Sequence, residues 1–207
     1  MLKELTVEEF VREVASSSPA PGGGSVAALA GAQAAGLLSM YCNLSQNRNK
    51  LGDVVDMLQA AGEEARYLKT KLIEAIDEDT LAFNQVMEAY RLPRENPEDK
   101  KKRSEAIQAA GKNASEVPLH TARGSLRVLS LVEEVAAKGN PSAITDLGVA
   151  NLQAYAGVVG ACYNVRINLG MLTDKSVVEE YESEVKSLMD EGKNLFDKNR
   201  QAIERAI

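Results

Sequence analysis

Three consecutive glycines, Gly22, Gly23 and Gly24, stand before an Ala-rich segment and are followed by Ser25. Each glycine costs roughly 0.5–1 kcal/mol relative to alanine in a helix, so the run calls for a physical reason. A helix that begins here leaves backbone N–H groups unpaired. With the positive end of the helix dipole, they suit a carboxylate, a phosphate or a carbonyl oxygen. The alternative is that the glycines only permit a tight turn and close helix packing.

Polar residues follow one face of a helix predicted from residue 141 to residue 171. Asp146 and Asn164 are eighteen residues apart, or five helical turns, so they share a face, and Asn168 lies one turn further on. Such a face borders either a solvent groove or a lined pocket. Asp146 also has a simpler interpretation, because an acid near the start of a helix is favoured by the helix dipole. The positions between are small or polar: Ala150, Gln153, Gly157 and Ala161.

The single histidine and the two cysteines do not form a metal or nucleophilic site in the sequence. His120 follows the stretch VPL at 117–119, and we identify no cysteine or acid at metal-ligand spacing from it. Cys42 and Cys162 lie in apolar helical surroundings, where a free cysteine behaves as a small hydrophobe. We therefore expect no metal site and two reduced thiols, as in the cytosol.

The elements that must position these residues are predicted to be helices throughout. Segments rich in Ala, Leu, Glu and Lys are separated by a few Pro and Gly positions, and no alternating strand pattern is sustained. Pro118 predicts a kink or break in the fourth helix. We expect an all-α protein, a compact bundle of about six to seven helices in a single domain over residues 1–207. The predicted helices cover 7 to about 15, 25 to 45, 53 to 92, 97 to 138, 141 to 171 and 174 to 207.

Composition narrows the partners and the compartment. A net charge of −6 argues against a nucleic-acid surface, since the only basic run is at 100–103. The N-terminal stretch lacks a positive segment followed by an apolar one, so no secretory signal is expected. The most apolar window, 26–42, is shorter than the ~20 residues of a membrane span. We expect a cytoplasmic protein with neither nucleic-acid nor membrane partners.

Several long stretches together resemble a known family. They are PAPGGGSVAALAGAQAAGL at 19–37, DTLAFNQVMEAYRLP at 79–93 and GNPSAITDLGVANLQAYAGVVGACYNVRINL at 139–169. The sequence resembles the cyclodeaminase domain of formiminotransferase-cyclodeaminase and its stand-alone relatives, the methenyltetrahydrofolate cyclohydrolases. The resemblance covers nearly the whole chain. It implies an α-helical bundle, a homodimer, and a reaction at a folate one-carbon unit with no cofactor beyond the tetrahydrofolate substrate.

The resemblance also implies a role for the glycine run and for one carboxylate. Gly22, Gly23, Gly24 and the Ser25 hydroxyl would hold the glutamate tail or the pterin oxygen of a reduced folate. Asp79 fits the family pattern of Asp, two residues, Ala and an aromatic residue. It would stabilise the cationic methenyl bridge and take a proton from attacking water, or supply one to departing ammonia. The alternative is an exposed helical acid among others.

Further polar residues are expected in the same pocket. Asp146 is assigned either to the guanidine-like edge of the pterin, through two hydrogen bonds, or to a second acid–base role. The remaining candidates for substrate binding are amides: Asn43, Asn84, Asn164 and Asn168.

The expected reaction is hydrolysis of 5,10-methenyltetrahydrofolate to 10-formyltetrahydrofolate, because the sequence contains no transferase domain to deliver formimino groups. The close alternative is cyclodeamination of 5-formiminotetrahydrofolate, which releases ammonia and forms the methenyl compound. A third hypothesis, from a different class, is a non-catalytic helical dimer that binds folate or another anion at the glycine run, or acts as a scaffold.

Overall fold

The computed structural model describes residues 1–46, 52–136 and 138–207, which form six α-helices and two short 3-10 segments, with no strand. The all-α prediction is therefore confirmed. The α-helices are α1 Val7–Val14, α2 Gly23–Gln46, α3 Gly52–Arg91, α4 Pro97–Val135, α5 Ile144–Leu169 and α6 Lys175–Glu204. The 3-10 segments are Leu2–Glu4 and Pro141–Ala143.

Helix α2 occupies the centre of the bundle and packs against α3, α4 and α5. The three partners approach closely because α2 is built largely from Ala and Gly. Where α2, α4 and α5 meet, a β-carbon on Gly31 or on Gly157 would overlap the Ser125 hydroxyl. Glycine at these two positions therefore sets the distance between the helices, and this packing fixes the N-terminal end of α2 relative to α3 and α5.

The length and composition of α2 also meet the criterion for a membrane-crossing helix, the one such case in the described ranges. Most of its apolar window is buried inside the bundle. The core helix of a soluble protein passes the same test, and burial by three neighbouring helices accounts for its apolar character.

Capping residues define where the other helices start. Thr6 and Glu9 form a reciprocal capping box at α1, Asn96 caps α4 ahead of Pro97, and Asp174 caps α6. These starts agree with the sequence predictions. Two other starts differ by two residues or more: α2 begins at Gly23 rather than Ser25, and Asn140 caps the 3-10 turn Pro141–Ala143 before α5 begins at Ile144.

Of the kink or break predicted at Pro118, the break is wrong, because α4 continues through this residue to Val135. Proline lacks an N–H, so the Ala114 carbonyl, four residues earlier, cannot receive its usual helical hydrogen bond. The side chain of Asn168 on α5 donates to that carbonyl instead, with Nδ2 to oxygen at 2.5 Å. Burial of Pro118 and Leu119 in the bundle further holds the helix together.

Candidate active site

A cavity of about 330 Å3 lies where the N-terminal end of α2 meets α3, α4 and α5. It contains both the glycine run and the Asp79 carboxylate, which is the one charged side chain among the described residues that line it. The lining residues are Pro19, Ala20, Gly22, Gly23, Gly24, Asp79, Phe83, Val86, Ala114, Asn164, Ile167, Asn168 and Met171.

Asp79 projects from α3 onto the first turn of α2. The Ser25 hydroxyl donates to Asp79 Oδ2 at 2.9 Å, and it also lies 3.0 Å from the Ile76 carbonyl oxygen. The backbone of Ser25 makes a further hydrogen bond to the same carboxylate. Since the first N–H groups of a helix lack intrahelical acceptors, this carboxylate satisfies one of them and lies at the positive end of the α2 dipole.

Close approach of this carboxylate explains the need for glycine at position 24. A β-carbon on Gly24 would overlap the Asp79 carboxylate, and one on Gly23 would lie 3.2 Å from Asn164 Nδ2. No glycine in the described ranges has a positive φ, so the run does not serve a left-handed turn. Gly22 supplies the carbonyl that accepts the first helical bond, from Val26 at 3.1 Å. The N–H groups of Gly23 and Gly24 have no acceptor within the helix.

Burial raises the pKa of the Asp79 carboxyl above its ordinary value, because the charged form loses solvation. The hydrogen bonds from the Ser25 hydroxyl and backbone oppose this rise in pKa, since they stabilise the ionised form. Burial has the larger effect, so this carboxyl accepts a proton more readily than an exposed aspartate does. It is suited to general acid–base chemistry.

Two amides on α5 border the cavity opposite Asp79. Asn164 Nδ2 donates to the Gly160 carbonyl at 2.9 Å, and Asn168 Nδ2 donates to the Ala114 carbonyl at 2.5 Å. Both carbonyl partners are acceptors, so each must face the NH2 end of its amide, and this fixes the amide orientation. Each Asn keeps Oδ1 as an acceptor for a ligand N–H.

The rest of the lining is apolar and was not predicted from the sequence. Phe83 and Val86 lie one and two turns after Asp79 on α3, and Ile167 and Met171 lie beside Asn168. The spacing of four residues from Asp79 places Phe83 on the same helical face and was a usable signal. Asn84, at a spacing of five, is exposed and is not part of the lining.

Three other expected site residues also differ from their predicted positions. Asp146 lies about 27 Å from Asn164 along α5, from eighteen residues at ~1.5 Å each, in the first turn where the dipole favours an acid. Asn43 is exposed near the other end of α2, where its Oδ1 lies 3.4 Å from the Arg66 guanidinium. Ser25 is fully buried and its hydroxyl is bound to Asp79, so it positions the carboxylate instead of contacting a ligand.

Other reactive residue types lie away from this cavity. Cys42 and Cys162 are fully buried, and burial raises the pKa of each thiol to about 11, so neither is a ready nucleophile. His120 is exposed on α4. In the part of the chain that the structure describes, no group of three His, Cys, Asp or Glu side chains could hold a metal ion.

Comparison with known proteins gives concordant matches over nearly the whole chain. The family described as Formiminotransferase-cyclodeaminase matches residues 6–187. Methenyltetrahydrofolate cyclohydrolase from Methylorubrum extorquens is 40% identical over 202 residues, which is 98% of this chain and 97% of that protein. Formimidoyltransferase-cyclodeaminase from Mus musculus is 34% identical over 93% of this chain, which spans only 36% of the mouse protein.

A solved structure shares the fold. The crystal structure of formiminotetrahydrofolate cyclodeaminase from Thermotoga maritima superimposes with a TM-score of 0.81 and 25% sequence identity. The match covers 100% of this chain and 97% of the Thermotoga chain.

Proposed function

Because the chain belongs to the formiminotransferase-cyclodeaminase family, we propose that it hydrolyses 5,10-methenyltetrahydrofolate to 10-formyltetrahydrofolate. The observation that carries the proposal is a half-buried carboxylate, Asp79, at a cavity with an apolar wall. The end-to-end similarity to a protein named methenyltetrahydrofolate cyclohydrolase supports this choice of reaction. The same similarity supports an enzyme over a scaffold.

The substrate of this reaction carries a positive charge on its N5–C–N10 bridge. A carboxylate beside the bridge stabilises the cation, and the cation in turn lowers the pKa of the carboxyl. Burial raises the pKa of Asp79 in the free protein, and a bound cation opposes this rise and favours the ionised form that acts as a base. The apolar wall, with Phe83 and Val86, would cover the flat rings of the folate.

Asp79 can serve both halves of the reaction. Water attacks the methenyl carbon and gives its proton to the Asp79 carboxylate, which leaves a neutral hydroxyl adduct. The bond from this carbon to N5 then breaks, N5 takes the proton from Asp79, and the hydroxyl proton departs as the formyl C=O forms on N10. One water is consumed and one proton is released overall.

The direct test follows the loss of the methenyl chromophore on addition of purified protein in a weakly buffering solution. Faster loss than in a protein-free sample, with 10-formyltetrahydrofolate as the product, supports the proposal. An unchanged rate at saturating substrate would contradict it.

Cyclodeamination of 5-formiminotetrahydrofolate is the second candidate, favoured by the match to the Thermotoga cyclodeaminase structure. In this reaction N10 attacks the formimino carbon and ammonia leaves, and the same carboxyl would protonate the leaving group. Ammonia release from the formimino substrate, measured beside hydrolysis with one protein preparation, separates the two by their kcat/KM values.

We also propose that the protein is a cytoplasmic homodimer that uses no cofactor beyond its folate substrate. Helix α2 carries no charged residue, and its outer face and that of α5 expose a largely apolar surface, with the exposed Arg166 of α5 at its edge. A second copy of the same surface is a suitable partner, because apolar area is then removed from water on both sides. The exposed apolar residues are Val26, Met40 and Leu44 on α2 and Val149, Leu152, Tyr163 and Ile167 on α5.

Light scattering with Val149→Asp tests the dimer, since Val149 lies on this surface far from the cavity along α5. A dimeric wild type and a monomeric variant are expected. Val7→Asp is the matched control, because Val7 is 83% exposed on α1, a different helix. A monomeric wild type, or a dimeric Val149→Asp, would contradict the proposed surface.

A further inference from the structure

A proline inside a helix lies next to the candidate active site and controls one of its amides. Pro118 is buried in the middle of α4 and cannot donate to the carbonyl of Ala114. Ala114 lines the cavity, so the missing hydrogen bond lies in the cavity wall itself. A buried carbonyl without a hydrogen bond costs free energy, so a nearby donor that pairs with it stabilises the folded protein.

Asn168 supplies that donor. Its Nδ2 lies 2.5 Å from the Ala114 carbonyl oxygen and links α5 to α4 at the cavity. Had residue 118 an N–H, the helical bond within α4 would compete for the same carbonyl. Because residue 118 has no N–H, the Asn168 amide takes the place of the missing helical donor, and the amide orientation follows, with Oδ1 left as the acceptor.

A second contact holds the same end of α5. Gln108 on α4 donates from Nε2 to the Met171 carbonyl at 2.7 Å, and its Oε1 accepts from the Thr173 N–H at 2.8 Å. This contact fixes the backbone after α5 independently of Pro118. What Pro118 adds is the orientation of the Asn168 side chain. Asn168 lines the cavity, whereas Gln108 does not.

We propose that Pro118 is a positioning residue, which frees the Ala114 carbonyl so that Asn168 is held with its Oδ1 ready to accept a hydrogen bond from an N–H group of the folate. The role of Asn168 toward folate rests on the proposed function, whereas the link between Pro118 and Asn168 does not. A proline costs stability within a helix, and the hydrogen bond from Asn168 offsets part of that cost.

A double-mutant cycle tests the proposal. Pro118→Ala restores an N–H to α4, and we expect KM for 5,10-methenyltetrahydrofolate to rise about 3- to 10-fold, the effect of one hydrogen bond, with little change in kcat. In an Asn168→Ala background the same substitution should change KM less than about 2-fold, because the group that Pro118 positions is gone. Pro97→Ala is the control, since Pro97 is the first residue of α4 and leaves no helical carbonyl unpaired.

Equal effects of Pro118→Ala in the two backgrounds would overturn the proposal, because they would show a packing role that does not pass through Asn168. Nuclear magnetic resonance of the wild type gives a readout independent of turnover. The side-chain amide of Asn168 should exchange its protons more slowly than that of exposed Asn84. Fast exchange at Asn168 overturns the link to Pro118. Slow exchange in a protein that neither binds nor converts folate would overturn the proposed function instead.

Discussion

The Asp79 carboxylate lies against the backbone of Gly24, in the space that a side chain at position 24 would need. A residue on α3 and a residue on α2, 55 positions apart, therefore depend on each other. The glycine gives the carboxylate access to the first turn of α2, where Ser25 hydrogen-bonds it. The sequence makes both residues visible, but only the packing of the two helices relates them.

Gly24→Ala should displace Asp79 and lower kcat/KM by about 100-fold or more, the range attributed to loss of a positioned general acid or base. The methyl group overlaps the carboxylate, so either Asp79 or the start of α2 must move. Gly36→Ala is the matched control on the same helix, where the nearest atom lies 4.0 Å from the added carbon. It should retain activity and melt at the same or a higher temperature. Equal losses in the two variants would show that the α2 glycines act through helix stability alone.

Asp79→Asn should reduce kcat by roughly 100- to 10,000-fold while tetrahydrofolate binding is retained. The amide has the size of the carboxylate and can still accept from Ser25, but it neither takes a proton nor offsets the substrate charge. Glu78→Gln removes the neighbouring exposed acid and should leave the rate unchanged. Stopped-flow loss of the methenyl chromophore measures the rate, and calorimetry measures binding. A fully active Asp79→Asn would remove Asp79 from the mechanism.

The helix starts and the all-α class were predictable because they depend on local chemistry. Thr6, Asn96 and Asp174 each cap a helix with their own side chain, and periodicity in composition defines the segments between them. The continuity of α4 through Pro118 was not predictable, because the donor that replaces the missing helical N–H is Asn168, fifty residues away, which no local rule detects. The missing hydrogen bond was foreseeable, but its replacement was not.

The candidate active site shows the same contrast between local sequence signals and contacts that depend on helix packing. The glycine run, Asp79, Asn164 and Asn168 were predicted and do meet at one cavity. Asp146 was included on the correct helical face, but a shared face says nothing about distance along the axis, and five turns separate it from Asn164. The lining by Ala114 and Met171 depends on how α4 and α5 pack and has no signature in the sequence.

Ser25→Ala should move the acidic limb of the pH–rate profile to higher pH. The hydroxyl donates to Asp79 at 2.9 Å and lowers its pKa, so its removal raises the pKa further. More carboxyl is then protonated at a given pH, and the rate at the lower end of the profile falls while the plateau is retained. The profile of kcat/KM from about pH 4 to about pH 9 measures this. Ser39→Ala, a buried hydroxyl elsewhere on α2, controls for packing. A limb that stays in place, or moves to lower pH, would contradict the assigned hydrogen bond.

Asp79→Asn should also make the protein more stable at neutral pH, with a gain that disappears in acid. Burial raises the pKa of Asp79 in the folded state, so folding favours the protonated form. The stabilising contribution of that form is fully present below the ordinary aspartate pKa and is lost as the pH rises through the folded-state pKa. Asparagine carries no charge at any of these pH values, so the difference in free energy of unfolding, variant minus wild type, should increase as the pH rises from the ordinary aspartate pKa through the folded-state pKa, and should be constant above it. Urea titrations at each pH give this difference, with Glu78→Gln as the exposed control. A difference that is constant with pH, or that decreases as the pH rises, would show that Asp79 does not carry a burial penalty in its charged form.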